Sequence, residues 1–312
     1  MSGNAESSGR SLVSVVIPTR DRHRRLSLAL RSALAQREVN LEVIVVDDGS
    51  RDGTSQAIRR LADPRIRLVR HESPLGESAA RNRGIAEAAG TWIAFLDDDD
   101  VWAPDKLRRQ LQAMADAGRN WAYAGHVTID DRFRILTGSP PLPPERVMES
   151  LSRYNAVPGS ASNVIATAEL LALVGPFDAG LKRTPDWDMW LRLARAGAPA
   201  WVCAPLVAIC VHAGNMSRDM SVMFRELKTL ADRYGIAVDW ARHYRWAAWT
   251  ALQEGRRWRA TRYYAGALAE GDVLSAGRAA VAMLRGSSAC VSRARHTDAW
   301  TPEARSWLDE LA

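Results

Sequence analysis

Four consecutive aspartates, Asp97 to Asp100, carry the clearest chemical signal in the sequence. They follow Thr91–Leu96, an apolar run typical of a buried strand, and the carboxyl ends of strands are where open α/β sheets bind ligands. Adjacent carboxylates repel one another unless a cation compensates them, and hard divalent ions prefer oxygen ligands. We therefore predict a divalent metal, Mn²⁺ or Mg²⁺, at this run. A solvated acidic turn that caps the next helix is the alternative.

Two further polar segments follow strand-like runs: Pro18-Thr19-Arg20-Asp21 and Asp47-Asp48-Gly49-Ser50. Parallel strands would bring these exits to the same edge of a sheet as the aspartate run. A carboxylate at a strand exit can accept hydrogen bonds from a nucleobase or a ribose, or it can cap the following helix. Both roles remain open for Asp47 and Asp48. Within the aspartate run, strand alternation predicts that Asp97 and Asp99 face one way and their neighbours the other.

Later in the chain, Asp186 and Asp188 begin a segment whose apolar residues recur at helical spacing, Trp187–Ala196. A carboxylate there can accept a proton from an attacking hydroxyl group, and it also suits the first turn of a helix because of the helix dipole. We interpret Asp188 in the second way and leave both roles open for Asp186. His212 follows an apolar stretch, where a lone histidine is either structural or functional.

Strand-like and helix-like segments alternate over the first 125 residues, which favours an α/β fold with a doubly wound, mostly parallel sheet. Residues 1–10 are polar and predicted to be disordered, and 11–220 are predicted to form the catalytic domain. Residues 221–312 read as a helical module rich in Trp, Tyr and Arg. Its aromatic rings are expected to pack the helices together; sugar stacking or contact with a membrane surface is the alternative. The strands are predicted at 12–17, 41–46, 65–70 and 91–96, and the helices at 24–36, 54–62, 77–89 and 104–117.

Composition limits the class of protein. The 312 residues are 47% hydrophobic and 25% charged, as in a globular protein, and the net charge of +6 is spread without a block of Lys or Arg, so we expect no nucleic-acid partner. The N-terminus lacks the apolar core of a signal peptide, no apolar stretch approaches the ~20 residues that span a bilayer, and three cysteines form no CxxC pair. We predict a cytoplasmic protein, with peripheral contact at the inner membrane face and a homodimer left open.

These motifs together resemble the family 2 glycosyltransferases, which have the GT-A fold. The resemblance covers about residues 11–217, and the helical tail lies outside it. Each motif alone is weak, whereas five in the family's order are specific. The motifs are VSVVIPTRDR (Val13–Arg22), VIVVDDGSRDGT (Val43–Thr54), GESAARNRGIAEAAGTWIAFLDDDDVWAPDKL (Gly76–Leu107), VGPFDAGLKRTPDWDMWLRLARAG (Val174–Gly197) and VHAGNMS (Val211–Ser217).

The resemblance implies roles for individual residues. Asp99 would ligate the metal that bridges the diphosphate, His212 would lie near that metal or the diphosphate, and Asp186 would be the general base. Asp48 would contact the nucleobase and Asp97 the ribose side. The residues expected on the donor side are Pro18, Thr19, Arg20, Asp48, Arg81, Asn82, Asp97 and Asp98. The family usually has Glu before the catalytic Asp, where this chain has Pro185, which changes the local backbone.

The implied activity is an inverting, metal-dependent transfer of a hexose from a nucleotide-diphosphate sugar, by default a UDP sugar, to a hydroxyl group of a saccharide, lipid-linked or natural-product acceptor. A non-catalytic nucleotide-sugar-binding module is one alternative, and it would lack a base at Asp186. A sugar nucleotidyltransferase is another, but it is expected to carry a Gly-rich phosphate loop after its first strand, which Pro18–Asp21 does not provide. The chain has neither GxGxxG after that strand nor GxxxxGKS, which disfavours dinucleotide and P-loop enzymes.

Overall fold

The computed structural model describes residues 12–212, 220–275, 277 and 297–311. The segment 1–10, predicted to be disordered, and most of the VHAGNMS motif lie outside the described residues. The chain divides into two compact units. By chain segments, the first unit comprises Met1–Leu151, Asn155–Val211 and His296–Ala312, and the second comprises Ser152–Tyr154 and His212–Arg295. The division falls near the boundary predicted at residue 220, except that the last helix belongs to the first unit.

The first unit contains one mixed sheet of nine strands in the order β3-β2-β1-β4-β8-β6-β9-β5, with β7 paired to β6. Strands β3, β2, β1 and β4 are mutually parallel, as the alternating sequence pattern predicts. β8 joins β4 antiparallel, and β6 pairs parallel with β9. The strands are β1 Val13–Thr19, β2 Leu41–Asp47, β3 Ile66–Arg70, β4 Trp92–Phe95, β5 Val101–Trp102, β6 Trp121–Ile129, β7 Ile135–Ser139, β8 Ile165–Thr167 and β9 Ala200–Cys210.

The central strands are buried on both faces, because helices cover each side. In β2, Val43 and Val45 belong to the larger core cluster, with residues of helices α1 (His23–Leu34) and α4 (Lys106–Ala117). Ile44 and Val46 pack in a second cluster with Ala80 of helix α3 (Glu77–Glu87). Continuous β-branched runs without polar alternation are the sequence pattern of such doubly covered parallel strands. The helices of this unit are α1 His23–Leu34, α2 Thr54–Arg60, α3 Glu77–Glu87, α4 Lys106–Ala117, α5 Pro144–Ser150, α6 Ala168–Val174, α7 Pro185–Ala196 and, at the C-terminus, α11 Thr297–Leu311.

Two glycines allow α3 and the following turn to approach β1 closely. A Cβ atom at Gly84 would overlap the Cγ1 methyl group of Val16, and one at Gly90 would lie 2.6 Å from the carbonyl oxygen of Leu12. The helix ends at Glu87, two residues before the end predicted at residue 89, so Gly90 does not directly follow it. It is needed because the backbone of β1 runs beside it.

The C-terminal helix differs from its predicted place in the tail module. In α11, Trp307 is buried and donates its Nε1 hydrogen to the carbonyl oxygen of Pro205, 3.1 Å away in β9. Trp300 of the same helix lies where a side chain at Gly125 would stand. An amphipathic helical pattern identifies the helix but not the surface that covers its apolar face, so the sequence alone could not place it.

In its described residues, the second unit is helical, as the sequence predicts. Its helices are α8 Met220–Tyr234, α9 Trp240–Gln253 and α10 Arg257–Ala269. Phe224 of α8 packs on the rings of Tyr244 and Tyr263, with centroids 4.7 and 6.0 Å away, so part of the aromatic content holds these helices together. No helix in the described part of the chain is both long and apolar enough to span a bilayer.

Candidate active site

The carboxyl ends of β1, β2 and β4 meet at one edge of the sheet, as predicted from their polar exits. The amide of Asp48 donates to the carbonyl oxygen of Thr19 at 2.9 Å, and the Thr19 hydroxyl donates to Oδ2 of Asp98 at 2.7 Å. The parallel register aligns Val16 of β1 with Phe95, the last residue of β4, so β1 continues three residues further, to Thr19. The three predicted polar segments therefore form one continuous surface.

Arg81 of α3 is the central cation of this surface. Its guanidinium group is buried; Nη1 donates to Oδ1 of Asp186 at 3.0 Å, and Nη2 donates to Oδ1 of Asp97 at 2.7 Å and to Glu77 one turn earlier. The ring of Phe177 lies 5.4 Å from the guanidinium carbon. Burial lowers the pKa of Arg81, but the three carboxylates outweigh burial and raise it. Arg81 thus stays charged and joins two predicted site carboxylates that are 89 residues apart in sequence.

Asp186 lies in the first turn of α7. Pro185 occupies the first helical position, where its missing N–H costs no hydrogen bond, so the departure from the family pattern is compatible with the helix. Burial is the largest influence and raises the pKa of Asp186; Arg81 opposes the rise, Asp97 adds to it, and the backbone N–H of Ala161 lowers it. The net effect is a pKa above the ordinary value. A carboxylate of this kind is a stronger base than an exposed one.

Asp188, in the same turn, has the structural role predicted for it. It is buried, and its Oδ2 accepts from Nε and Nη2 of Arg192 at 3.0 and 2.7 Å. Arg192 in turn donates to the carbonyl oxygens of Val174 and Gly175. This network fixes the preceding loop to α7.

Two serines that the sequence analysis does not single out hold the aspartate run. The Ser160 hydroxyl donates to Oδ2 of Asp97 at 3.0 Å, and the Ser162 hydroxyl donates to Oδ2 of Asp100 at 2.5 Å. Ser160 has φ 55° and ψ −164°, a backbone conformation that residues other than glycine rarely adopt. The loop Asn155–Asn163 shows no periodic pattern, so nothing in the sequence links these hydroxyl groups to the aspartates.

Asp98 and Asp99 share a second cation, Arg22, which lies three residues beyond β1. Nη1 of Arg22 is 3.0 Å from Oδ1 of Asp98 and 2.8 Å from Oδ2 of Asp99. Burial raises the pKa of Asp98, Arg22 lowers it and Asp99 raises it, with a net value of about 6. Arg22 closes the VSVVIPTRDR motif, but only the fold shows that it pairs with the aspartates.

The predicted alternation of the four aspartates is wrong. Asp98 and Asp99 contact the same guanidinium group, that of Arg22, while Asp97 and Asp100 both contact the hydroxyl group of Ser160. The physical reason is that β4 ends at Phe95, so the run is a turn and strand alternation does not apply to it. Asp100 is buried and also accepts from the amide of Cys210 at 3.1 Å, which gives it a structural role.

At the exit of β2 the two aspartates organise loops. Asp47 is fully buried and accepts from the amide of Ser50 at 2.8 Å and from the hydroxyl of Ser55. Asp48 accepts from His71 Nδ1 and the amide of Leu75, both at 2.8 Å, and from the amide of Gly76 at 2.9 Å. Burial raises the pKa of Asp48, but these hydrogen bonds outweigh it, so the pKa is lowered. Asp48 is therefore ionised and ties the loop before α3 to β2.

The other predicted donor-side residues occupy different positions. Pro18 lies within β1 opposite Val46, and Arg20 is exposed beside Asp21 at 3.7 Å. Asn82 exchanges two hydrogen bonds of 2.8 Å with the backbone of Phe177, which anchors the VGPFD segment to α3. Both polar atoms of the Asn82 amide group are therefore engaged in holding this segment, and Arg81 is the preceding residue in the chain.

His212 follows β9 and is 9% exposed in the second unit. Its role at a metal stays a prediction. Within the described residues, no group of three or more His, Cys, Asp or Glu side chains forms a ready-made metal site. Mg²⁺ and Mn²⁺ sites with one or two carboxylates that are completed by substrate phosphates do not require such a group, and the oxygen-rich aspartate run suits a hard cation.

Comparison with known proteins relates this geometry to characterised relatives. Residues 14–164 match the family model described as "Glycosyl transferase family 2". The chain is 28% identical over 228 residues to UDP-Glc:alpha-D-GlcNAc-diphosphoundecaprenol beta-1,3-glucosyltransferase WfgD of Escherichia coli, which covers 73% of this chain and 87% of that protein. It is 48% identical over 90 residues to the succinoglycan biosynthesis protein ExoO of Rhizobium meliloti, or 29% of this chain and 26% of that protein.

Among solved structures, S. aureus TarS in complex with UDP matches with a TM-score of 0.52 and 21% identity. The match covers 64% of this chain and 60% of that one, so the chain spans less than two thirds of the solved TarS chain. The match confirms the predicted GT-A-type α/β fold. Residues 14–164 thus match glycosyl transferase family 2, in line with the ordered motifs.

Proposed function

We propose that the chain transfers a hexose from a nucleoside-diphosphate sugar to an acceptor hydroxyl group, with inversion at the anomeric carbon. The observation that carries the proposal is the bridge of Arg81 between Asp97 and Asp186. It sets a carboxylate of the predicted donor side and the predicted base on two sides of one buried cation. Relatives add support: WfgD is named for UDP-Glc, and TarS has been solved with UDP, so UDP is the first nucleotide to test.

In this mechanism Asp186 accepts the proton of the acceptor hydroxyl as its oxygen attacks the anomeric carbon. Its raised pKa increases its proton affinity, while Arg81 keeps the carboxylate ionised and fixes its direction. A single displacement requires one base and inverts the configuration, so an α-linked donor gives a β-linked product. The name of WfgD specifies a β-linked product of this kind.

On the donor side, Asp97 is held by Arg81 and Ser160 and is available for the ribose through its position at the strand edge. Asp99 is the proposed ligand of a divalent cation, Mn²⁺ or Mg²⁺. When bound, such a cation would supply positive charge that stabilises the leaving diphosphate. Arg22, which contacts both Asp98 and Asp99, orients these carboxylates and keeps them from repelling one another.

The acceptor is proposed to be a saccharide carried on a lipid diphosphate. The support is the name of WfgD, whose acceptor is a diphosphoundecaprenol-linked sugar and which aligns with most of this chain. A free saccharide or a natural product is the alternative acceptor.

The substitution Asp186→Asn tests the role of the base. We expect sugar transfer to fall by ~10²–10⁴-fold while donor binding changes little, because the amide keeps the shape but cannot accept the proton. Transfer is followed by nucleoside-diphosphate release, and donor binding by calorimetry. Glu169→Gln is the matched control, since Glu169 is an exposed carboxylate in the first turn of α6. Turnover within a few-fold of wild type would remove Asp186 from the mechanism.

A further inference from the structure

Positive charge is divided unequally between the two units. The second unit, residues 152–154 and 212–295, contains fifteen Arg and Lys against seven Asp and Glu, a net charge of +8. The whole chain carries +6, so the first unit carries −2. The excess that looks dispersed along the chain therefore belongs to the second unit. Charge asymmetry of this size between parts of a chain is typical of a protein that meets an anionic surface.

Helix α10 combines this charge with exposed apolar side chains on one face. Trp258, Arg262, Ala265 and Ala269 recur at intervals of four, three and four residues and are all exposed. Trp258 is 80% exposed, the largest value among the exposed large hydrophobic residues described. We call these residues, together with Leu268 at the edge of the stripe, the α10 face. The opposite side of the helix, with Ala260 and Tyr264, forms the core with α9.

Exposed apolar and basic side chains also lie beyond the helix and in its first turn. Val273 and Leu274 follow α10 and are 73% and 67% exposed. Arg257, Arg259 and Arg262 are exposed, and within the described residues none of them forms an ion pair with a carboxylate. In the described residues, three guanidinium groups near Trp258 thus have no carboxylate partner, and Leu268, Val273 and Leu274 are exposed towards and beyond the other end of the helix.

We propose that the α10 face, with Val273 and Leu274, rests on the surface of an anionic lipid bilayer. Tryptophan is favoured at the level of lipid head groups, and leucine and valine gain by leaving water for the acyl boundary. Arginines beside them are attracted by anionic head groups, each by an amount comparable to thermal energy or somewhat more. From Trp258 to Leu268 the helix extends about 15 Å, enough for a helix that lies flat on a membrane.

The mixture of side chains distinguishes a bilayer from other anionic partners. A nucleic acid could pair its phosphates with the arginines and stack a base on Trp258. It has no apolar surface that would cover Leu268, Val273 and Leu274. A second copy of this chain would meet the same unpaired arginines and gain no opposite charge from them. A lipid bilayer that is anionic at its head groups and apolar below them can interact with both the arginines and the apolar side chains of the α10 face, Val273 and Leu274.

Flotation with lipid vesicles tests the proposal on the full chain. Wild type is expected to bind vesicles that contain phosphatidylglycerol, to bind pure phosphatidylcholine at least tenfold more weakly, and to be released by high salt. Arg259→Glu with Arg262→Glu is expected to reduce partitioning by about tenfold or more. Trp258→Ala is expected to reduce it several-fold without any change of charge.

Matched variants of the first unit serve as controls. Arg59→Glu with Arg60→Glu makes the same change of charge on exposed arginines of α2, and Leu173→Ala removes a side chain that is 76% exposed; both should bind as wild type does. Equal losses in these controls, equal binding to neutral vesicles, or no vesicle binding would overturn the proposal. So would a vesicle-independent dimer that Trp258→Ala dissociates, or binding to an oligonucleotide without binding to vesicles.

Discussion

Asp98 shows how a single buried carboxylate affects the stability of the site. Its pKa of about 6 lies above the ordinary value of 3.8, chiefly because of burial, so the folded state binds its proton more tightly than the unfolded state does. The stabilising effect of that proton is complete below about pH 4 and is lost as the pH rises through about 6. The group therefore favours the folded state less at neutral pH than in mild acid.

A comparison with Asp98→Asn measures this contribution. Between pH 4 and pH 7, the free energy of unfolding of wild type should fall relative to that of the variant by about 2–3 kcal/mol, because asparagine does not titrate. Urea unfolding at several pH values gives the difference directly. The hydrogen bonds lost from Thr19 and Arg22 add a constant offset, so the slope with pH is the decisive quantity. A flat difference would mean that folding leaves the pKa of Asp98 at its ordinary value.

Residue types alone predict only part of the site. The aspartate run and Asp186 stand out because carboxylates at a strand end and at a helix start have recognisable sequence contexts. Arg22, Ser160 and Ser162 could not be found in this way, since their partners are set by which strands pair and where a turn without periodicity folds back. Arg81 is named by family resemblance, but its bridge between Asp97 and Asp186 exists only in three dimensions.

At the scale of elements, the close packing of α3 on β1 positions Arg81. Gly84 faces Val16, and there is no room for a side chain between the helix and the strand. A shift of α3 away from β1 would move Arg81 relative to Asp97 and Asp186, which lie on other elements, and so would break its contacts with them. The packing of one element therefore controls the geometry of the cation that organises the site.

Gly84→Ala tests this packing. An alanine is better than glycine inside a helix by ~1 kcal/mol, so helix propensity alone predicts a more stable protein. We expect the opposite, a loss of about 1–3 kcal/mol, because the new methyl group overlaps Val16. Thermal unfolding measures the change. The double variant with Val16→Ala should be more stable than the sum of the single effects predicts; additive effects or a stabilised single variant would contradict the close approach.

The elements differ in how well their sequences predict them. The parallel strands β1 and β2 are continuous apolar runs and α1 has apolar residues at helical spacing, and the structure confirms these three elements within a few residues. The two-residue strand β5, Val101–Trp102, has no periodicity and exists because β9 pairs with it. The C-terminal helix α11 has a clear helical pattern, yet its place on β7 and β9 depends on a surface that is distant in sequence.

At the scale of the whole molecule, the two units differ in charge and in exposed surface. The first holds the candidate site, and the second carries the excess of arginine and the exposed Trp258. The lipid-linked acceptor that we propose would lie at a membrane, so docking of the second unit on a bilayer would raise its local concentration. The vesicle experiment tests docking without using activity, and the Asp186 variant tests transfer without using vesicles, so the two proposals can fail separately.

The proposed activity depends most on the binding of a sugar nucleotide at the aspartate run. Calorimetric titration of the folded protein with UDP, UDP sugars, and dTDP and GDP sugars, each with Mn²⁺ and with a chelator, measures this directly. At least one nucleotide is expected to bind tenfold or more tightly with Mn²⁺, and Asp99→Asn should lose that gain while it keeps the weaker metal-free affinity. Well-folded wild type that shows no cation-assisted affinity for any of these ligands would contradict the proposed activity.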